Sequence, residues 1–205
     1  MIKRIFDFVG SFFGLIIVFP IFIVVALAIK IEDGGPIFYR GPRVGRLGLP
    51  FRIFKFRSMV INAEKLGAAS TSNSDSRITR TGALIRRYKL DEMSQLINVL
   101  LGDMSFVGPR PQVKWAVDLY NDEEKQLLQL RPGITDWASI KYHNEGEIIA
   151  RSGISDPDEA YMKLIHPQKT QLQLKYLRDR SFWTDIRIII DTVTTLFETR
   201  ASRID

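Results

Sequence analysis

The longest pattern in the chain is an apolar run. Residues 8–29 carry no charged side chain, and roughly 20 helical residues suffice to cross a bilayer. Shorter alternating stretches come next. Ile37-Phe38-Tyr39-Arg40 and Phe51-Arg52-Ile53-Phe54-Lys55-Phe56-Arg57 read as strands of a short β-hairpin joined by a Gly- and Pro-containing loop. In the second strand Lys55 and Arg57 share one face and Phe54 and Phe56 the other. The basic face is either a solvated surface over a small core or a wall turned toward phosphates or lipid head groups.

The remaining chain is mostly of helical period. A loop rich in Ser, Asn and Ala over 67–76 leads into a helix with Leu84, Ile85 and Tyr88 on its apolar side. Met93, Leu96, Ile97, Leu100 and Leu101 recur on one helical face, and Gly102 supplies the stop. Residues 112–130 read as helical with a break at Asn121-Asp122, and 158–165 as a short helix after a loop at Ser152–Pro157. Ser181 caps a last helix with Ile186, Ile189, Ile190, Val193, Leu196 and Phe197 on one face. Phe182 and Trp183 at its start, with Arg178, Arg180 and Arg187 nearby, suit a membrane interface; a packed core helix fits the same pattern equally.

Three readings fit the apolar run. Lys3 and Arg4 before it and Ala26-Leu27-Ala28 near its end resemble a secretory signal with a cleavage site. Its length fits a straight span. Pro20 near its middle and basic flanks on both sides (Lys3 and Arg4, then Lys30, Arg40, Arg43 and Arg46) fit a helix that breaks and returns to the leaflet it entered.

With 205 residues the chain holds one ordinary domain plus an anchor, divided as 1–32 and 33–205. It has no cysteine, which excludes disulfides, zinc–thiolate sites and thiol nucleophiles. A net charge of +6 and a pI near 9.6 point to an anionic partner. Basic residues among aromatics raise nucleic acid, but no reader motif accompanies them. His143 and His166 lack paired ligands at metal-binding spacing.

The candidate chemistry lies between Arg86 and Pro111. Asp91 and Glu92 fall at the N-terminal boundary or in the first turn of the helix that ends at Gly102, where the helix dipole favours a charged carboxylate. They read as an ordinary cap or as a nucleophile kept ionised. Arg86, Arg87 and Lys89 precede them, and Arg110 follows between Pro109 and Pro111, whose fixed φ angles stiffen its segment. A carboxylate pair ringed by guanidinium groups suits a phosphate-bearing substrate and a divalent metal.

Leu90-Asp91-Glu92, Gly102-Asp103-Met104-Ser105, Val107-Gly108-Pro109-Arg110-Pro111 and Arg131-Pro132-Gly133-Ile134-Thr135 resemble the bacterial sugar transferases, the small monotopic phosphoglycosyl transferases. The likeness runs from Lys3-Arg4-Ile5-Phe6-Asp7 to Ser181-Phe182-Trp183-Thr184-Asp185. It implies an α+β, mostly helical fold: a re-entrant membrane helix over 1–32, a short β-hairpin, and amphipathic interfacial helices around an active site in 33–205. It implies transfer of a phosphosugar from a UDP-sugar to polyprenyl (undecaprenyl) phosphate, with release of UMP, on the cytoplasmic face of a bacterial inner membrane. Asp91 would be the nucleophile and Glu92 would hold Mg²⁺. Arg110, Arg86, Lys55, Arg77 and Arg131 would bind phosphates, while Lys3, Arg4, Pro20, Phe182 and Trp183 would meet lipid. The resemblance admits a homodimer and implies no nucleic acid.

The sequence departs from the family at Phe19, where a serine usually precedes the proline, and at Ser139-Ile140-Lys141-Tyr142-His143, where a phosphate-binding arginine is missing and Lys141 or His143 is the available substitute. The stretch 146–169 is longer than in compact members. A membrane-anchored basic adaptor that holds acidic lipid without catalysis is the alternative; it has no need of Asp91 and Glu92.

Overall fold

The computed structural model describes residues 2–67 and 75–201, with side chains as far as Leu196. Met1, the Ser- and Asn-rich part of the loop expected over 67–76, and the Phe197 side chain expected on the last helix lie outside the described residues.

Helix α1 (Ile2–Asp33) takes up the whole apolar run and is long and apolar enough to cross a membrane. It continues through Pro20, whose side chain and those of Phe19 and Ile21 face outward, so the hydrogen bond that proline cannot donate is lost on the side away from the domain. Asp7, Ser11, Val25 and Ile29 form an inward stripe, while Phe8, Phe12, Phe13, Ile17, Phe19, Val24 and Leu27 are exposed.

Both ends of α1 are fastened to the domain. Lys3 Nζ donates to Asp185 at 2.5 Å and to the Val107 carbonyl at 3.0 Å. Arg4 donates to the carbonyls of Val99 and Leu100 at 2.6 and 2.9 Å, and buried Asp7 accepts from the Ser105 hydroxyl and the Phe106 N–H. At the other end Asp33 pairs with Arg57, and Glu32 accepts from the N–H groups of Arg80 and Thr81. Lys3 and Arg4, expected at lipid head groups, are engaged by a buried carboxylate and by helix-end carbonyls instead.

Strands β1 (Phe38–Tyr39), β2 (Pro42–Val44), β3 (Pro50–Arg52) and β4 (Lys55–Phe56) make the expected hairpin in two antiparallel pieces. Phe38 lies opposite Phe56 and Pro42 opposite Arg52. The run expected as one strand is interrupted at Ile53 and Phe54. Ile53 fills the core with Val99 and Met104, and the Phe54 N–H donates to the Asn98 side chain at 2.8 Å.

Helix α2 (Arg80–Arg87) is capped by Thr79, which accepts from the Gly82 N–H. It packs along one edge only, so Ile85 is buried while Leu84 and Tyr88 are exposed, narrower than the face expected. Helix α3 (Gln95–Leu101) stops at Gly102, which takes φ 95° as its position demanded. Its buried residues are Gln95, Asn98 and Val99, a face rotated from the apolar one expected. The Asn98 amide explains the rotation, since it bonds both Phe54 N–H and the Arg52 carbonyl.

Strands β5 (Ser105–Val107) and β6 (Gly133–Thr135) pair in parallel, a pairing the hydrophobic pattern did not announce. They meet through Gly108 and Gly133, where a Cβ on either would overlap the other segment's backbone. Helix α4 (Lys114–Asp118) and a 3₁₀ turn at Glu124–Gln129 flank the expected break. Helices α5 (Trp137–Lys141), α6 (Glu145–Arg151), α7 (Pro157–Leu164), α8 (His166–Asp179) and α9 (Phe182–Ala201) follow. Ser181 caps α9 by accepting from the Thr184 N–H at 3.0 Å. Among the described side chains of α9, Ile188 and Asp185 are buried, whereas Ile190 and Val193 are exposed and Trp183 stands 77% exposed. The expected apolar face of α9 is therefore largely outward, because Asp185 turns inward to meet Lys3 and the Tyr176 hydroxyl.

Candidate active site

Between α2 and α3 the chain makes a separate 3₁₀ turn, Leu90–Glu92. It is entered through Lys89 at φ 56°, a left-handed conformation that a lysine adopts only under constraint. Its side chain crosses to another segment, where Lys89 Nζ donates to the His143 carbonyl at 3.0 Å. Asp91 and Glu92 thus sit one turn ahead of α3 rather than in its first turn. The dipole of α3 does not hold Asp91 as expected. Its main chain is held by the buried Ser94 hydroxyl, which donates to the Asp91 carbonyl at 3.1 Å.

The two carboxylates live in different surroundings. Asp91 Oδ2 lies 4.0 Å from Lys55 Nζ, and Oδ1 is buried without a hydrogen-bond partner among the described residues. Burial pushes the Asp91 carboxyl up, with Lys55 pulling the other way and the Glu92 charge adding to the rise. Glu92 accepts from Lys55 at 3.0 Å and from both terminal nitrogens of Arg110, one at 3.2 Å. Burial alone would raise Glu92; Arg110 and Lys55 overcome it and hold that carboxyl well below its ordinary value. The charge on Glu92 in turn raises the Arg110 guanidinium. One acid is a fixed anion and the other a buried, under-satisfied carboxyl beside it, the pairing from which separate roles arise.

Both open into a cleft of about 2200 Å³. Of the cations expected there, Lys55, Arg86 and Arg110 line it, and Arg86 acts on Asp91 through its charge. Arg77 also lines it, but its guanidinium grips Asp75 at 2.7 and 2.9 Å and the Ala63 carbonyl at 2.9 Å. Arg131 is not brought there; it donates to the Gly102 carbonyl at 3.0 Å and so closes the far end of α3.

Sequence reasoning did not assign Arg43, Glu145 or Lys169 to the site. Arg43 lines the cleft near enough to Arg110 for their charges to interact, and burial lowers its pKa. Its position in β2 opposite Phe51 was hidden in the loop between the expected strands. Buried Lys169 pairs with Glu145 at 2.7 Å, and both line the cleft. Nothing local in the sequence joins two residues on α6 and α8. Where the family arginine is missing, His143 lines the cleft, while Lys141 is bonded to Gln168 at 3.1 Å.

Among the described residues no three acids or histidines form a ready cage for a metal ion. Mg²⁺, the ion the resemblance implies, takes one or two carboxylates and fills its remaining positions with water and phosphate oxygens. The partnerless Asp91 Oδ1 and the neighbouring Glu92 carboxylate fit such an ion.

Residues 1–199 match the family model described as bacterial sugar transferase. An Aeromonas hydrophila UDP-N-acetylgalactosamine-undecaprenyl-phosphate N-acetylgalactosaminephosphotransferase is 34% identical over 95% of this chain and 43% of its own length. An undecaprenyl-phosphate glucose phosphotransferase of Komagataeibacter xylinus is 38% identical over 93% of this chain and 35% of its own. The UDP-glucose:undecaprenyl-phosphate glucose-1-phosphate transferase of Escherichia coli is 35% identical over 98% and 41%. The chain therefore spans less than half the length of these relatives.

Proposed function

Because the chain belongs to the bacterial sugar transferase family, we propose that it moves a phosphosugar from a UDP-sugar to polyprenyl phosphate through a phosphosugar held on Asp91. The observation that carries this reading is the unpartnered Asp91 oxygen, buried in a cation-lined cleft beside a carboxylate already fixed by Arg110. A carboxyl so placed is costly to bury and stabilises nothing in the resting fold, as expected of a group kept for a substrate.

In the first half of the reaction an Asp91 oxygen attacks the β-phosphorus of the UDP-sugar. The bond from that phosphorus to the bridging oxygen breaks, and UMP leaves with the electron pair. In the second half a phosphate oxygen of the polyprenyl phosphate attacks the same phosphorus. The acyl-phosphate bond breaks and the carboxylate is restored. Arg110 and Lys55 offset the charge that develops on the phosphoryl oxygens, with Arg86 and Arg43 on the cleft wall to hold the diphosphate. Glu92, with Asp91 beside it, would hold Mg²⁺, which would supply charge neutralisation for the diphosphate when bound.

The site is read as resting on lipid at the cytoplasmic leaflet. One substrate is water-soluble and the other lies in a bilayer, and the bare face of α1 with Trp183 sets the depth. A helix fastened at both ends to one body cannot pass through a bilayer while that body stays on one side, which favours a monotopic arrangement over a span.

UMP release from a panel of UDP-sugars with Mg²⁺, with mass spectrometry of the peptide bearing Asp91, tests the reading. A phosphosugar adduct on Asp91 and loss of at least about a thousandfold in UMP release in Asp91→Asn are expected. Turnover without the adduct points to direct displacement, and lipid binding without UMP release points to a basic adaptor.

A further inference from the structure

The cleft is not uniformly polar. One part of its wall is apolar: Leu96, Phe106, Ile134, Ile189, Val193 and Leu196 all line it. Thr135 and Thr192 beside them bond each other through their hydroxyls at 2.7 Å, so their polar atoms are satisfied within the wall. Two of the apolar residues are backed by α1. Leu96 rests on Gly14, 3.4 Å from where a Cβ would stand. Phe106 rests on Gly10 and meets Phe6 edge-on with ring centres 5.8 Å apart. Val193 and Leu196 are 46% and 38% exposed, so this part of the wall is open rather than enclosed. One cavity is thus lined both by the cations Lys55 and Arg110 and by an apolar limb of residues from α3, β5, β6 and α9, two of them partly exposed.

A ligand matching both linings has an anionic head and a long hydrocarbon tail. A nucleotide sugar has no such tail. We propose, resting on the function argued above, that this limb seats the head-proximal isoprene units of the acceptor, so that its phosphate arrives at Asp91 while the rest of the chain leaves past Val193 toward lipid. The limb would then set acceptor affinity without touching the sugar-nucleotide half of the reaction.

The test uses the full chain in lipid nanodiscs with undecaprenyl phosphate as acceptor. Val193→Glu places a carboxylate in the limb at a half-exposed position, and Ile190→Glu places one on the outer surface of the same helix. Val193→Glu is expected to raise the KM for undecaprenyl phosphate at least about tenfold. The UMP burst with donor alone should stay unchanged, and Ile190→Glu should leave both near wild type. An unchanged KM in Val193→Glu, or an equal rise in Ile190→Glu, overturns the limb. Photolabelling with a polyprenyl phosphate bearing a diazirine near its head needs no turnover. Adducts on residues 189–196 support the limb, and adducts confined to the outer face of α1 overturn it. Labelling on α9 by a protein that releases no UMP would sink the transferase reading and leave the limb standing.

Discussion

Arg110 reaches Glu92 with both terminal nitrogens, leaving Asp91, the neighbour of Glu92 in the chain, with Lys55 as the one cation within 4.0 Å among the described residues. Adjacent acids are thereby driven in opposite directions, Asp91 up and Glu92 down.

That divergence fixes the sign of a pH profile. Asp91 must be deprotonated to attack, and its pKa lies above the ordinary 3.8, so kcat/KM for UMP release should fall on the acid side at a higher pH than for a solvent-exposed aspartate. Lys55→Met removes the nearest stabilising charge and should move the acid side of the profile to still higher pH. The same raised pKa means that ionised Asp91 opposes folding at neutral pH. Asp91→Asn should therefore melt no lower than wild type, and higher if nothing else shifts. Thermal unfolding at pH 7 alongside the rate profile checks both.

Glu92 carries the reverse sign. Its pKa is depressed, so its contribution to stability is full above the unfolded value of 4.5 and fades as pH falls through the lower folded value. Arg110→Met should cost about 2 kcal/mol at pH 7, because a buried carboxylate loses its main partner. Adding Glu92→Gln should recover part of that loss without restoring activity. Denaturant unfolding of the single and double variants measures the recovery.

Chelation of divalent ions should stop UMP release, and added Mg²⁺ should restore it, with the circular dichroism spectrum unchanged throughout. In Glu92→Gln the Mg²⁺ concentration for half-maximal rate should rise about tenfold or more. An unaltered Mg²⁺ dependence would remove Glu92 from the ion's surroundings.

Among the described residues, Lys3→Met leaves the Asp185 carboxylate, 4% exposed, with the Tyr176 hydroxyl as its one remaining side-chain partner. A destabilisation of about 2 kcal/mol is expected, with part returned by Asp185→Asn in the same chain. Unfolding in mild detergent, followed by tryptophan fluorescence, provides the measurement.

Gly133→Ala should be far worse than Gly48→Ala. The first puts a Cβ into the Gly108 backbone where β5 and β6 meet, while the second faces open space and meets only the cost of φ 78°. About 1 kcal/mol is expected for Gly48→Ala, against 3 kcal/mol or more, or no folded protein, for Gly133→Ala. Comparing the two melting temperatures checks it.

The elements that short-range rules govern were legible in the sequence. Gly102 stops α3, Ser181 caps α9, and Asn121-Asp122 marks the break after α4, each because one side chain or one φ angle decides the matter. Asp91, Glu92 and Arg110 of the same motif share one cleft, as their closeness along the chain allows. What the pattern mispredicted lies where a distant polar group outvotes hydrophobicity. Asn98 rotates α3 by bonding residues 52 and 54, and Asp185 turns α9 by meeting Lys3. Arg131 and Arg77 were plausible phosphate ligands by type, but a carbonyl at Gly102 and a carboxylate at Asp75 claim them, and neither claim is visible along the chain. Glu145 and Lys169 became part of the cleft through tertiary pairing alone.

The ties of α1 at Lys3 and Asp33 have a bearing on how the molecule is handled. A fluorophore or protease site joined ahead of Ile2 would emerge in the same compartment as one placed on α2, since both ends of the helix are moored to a single body. Impermeant reagents applied to sealed vesicles should thus modify both positions or neither. The cleft, braced at two points along a helix roughly 48 Å long, would ride on the lipid at a constant height and with little freedom to tilt.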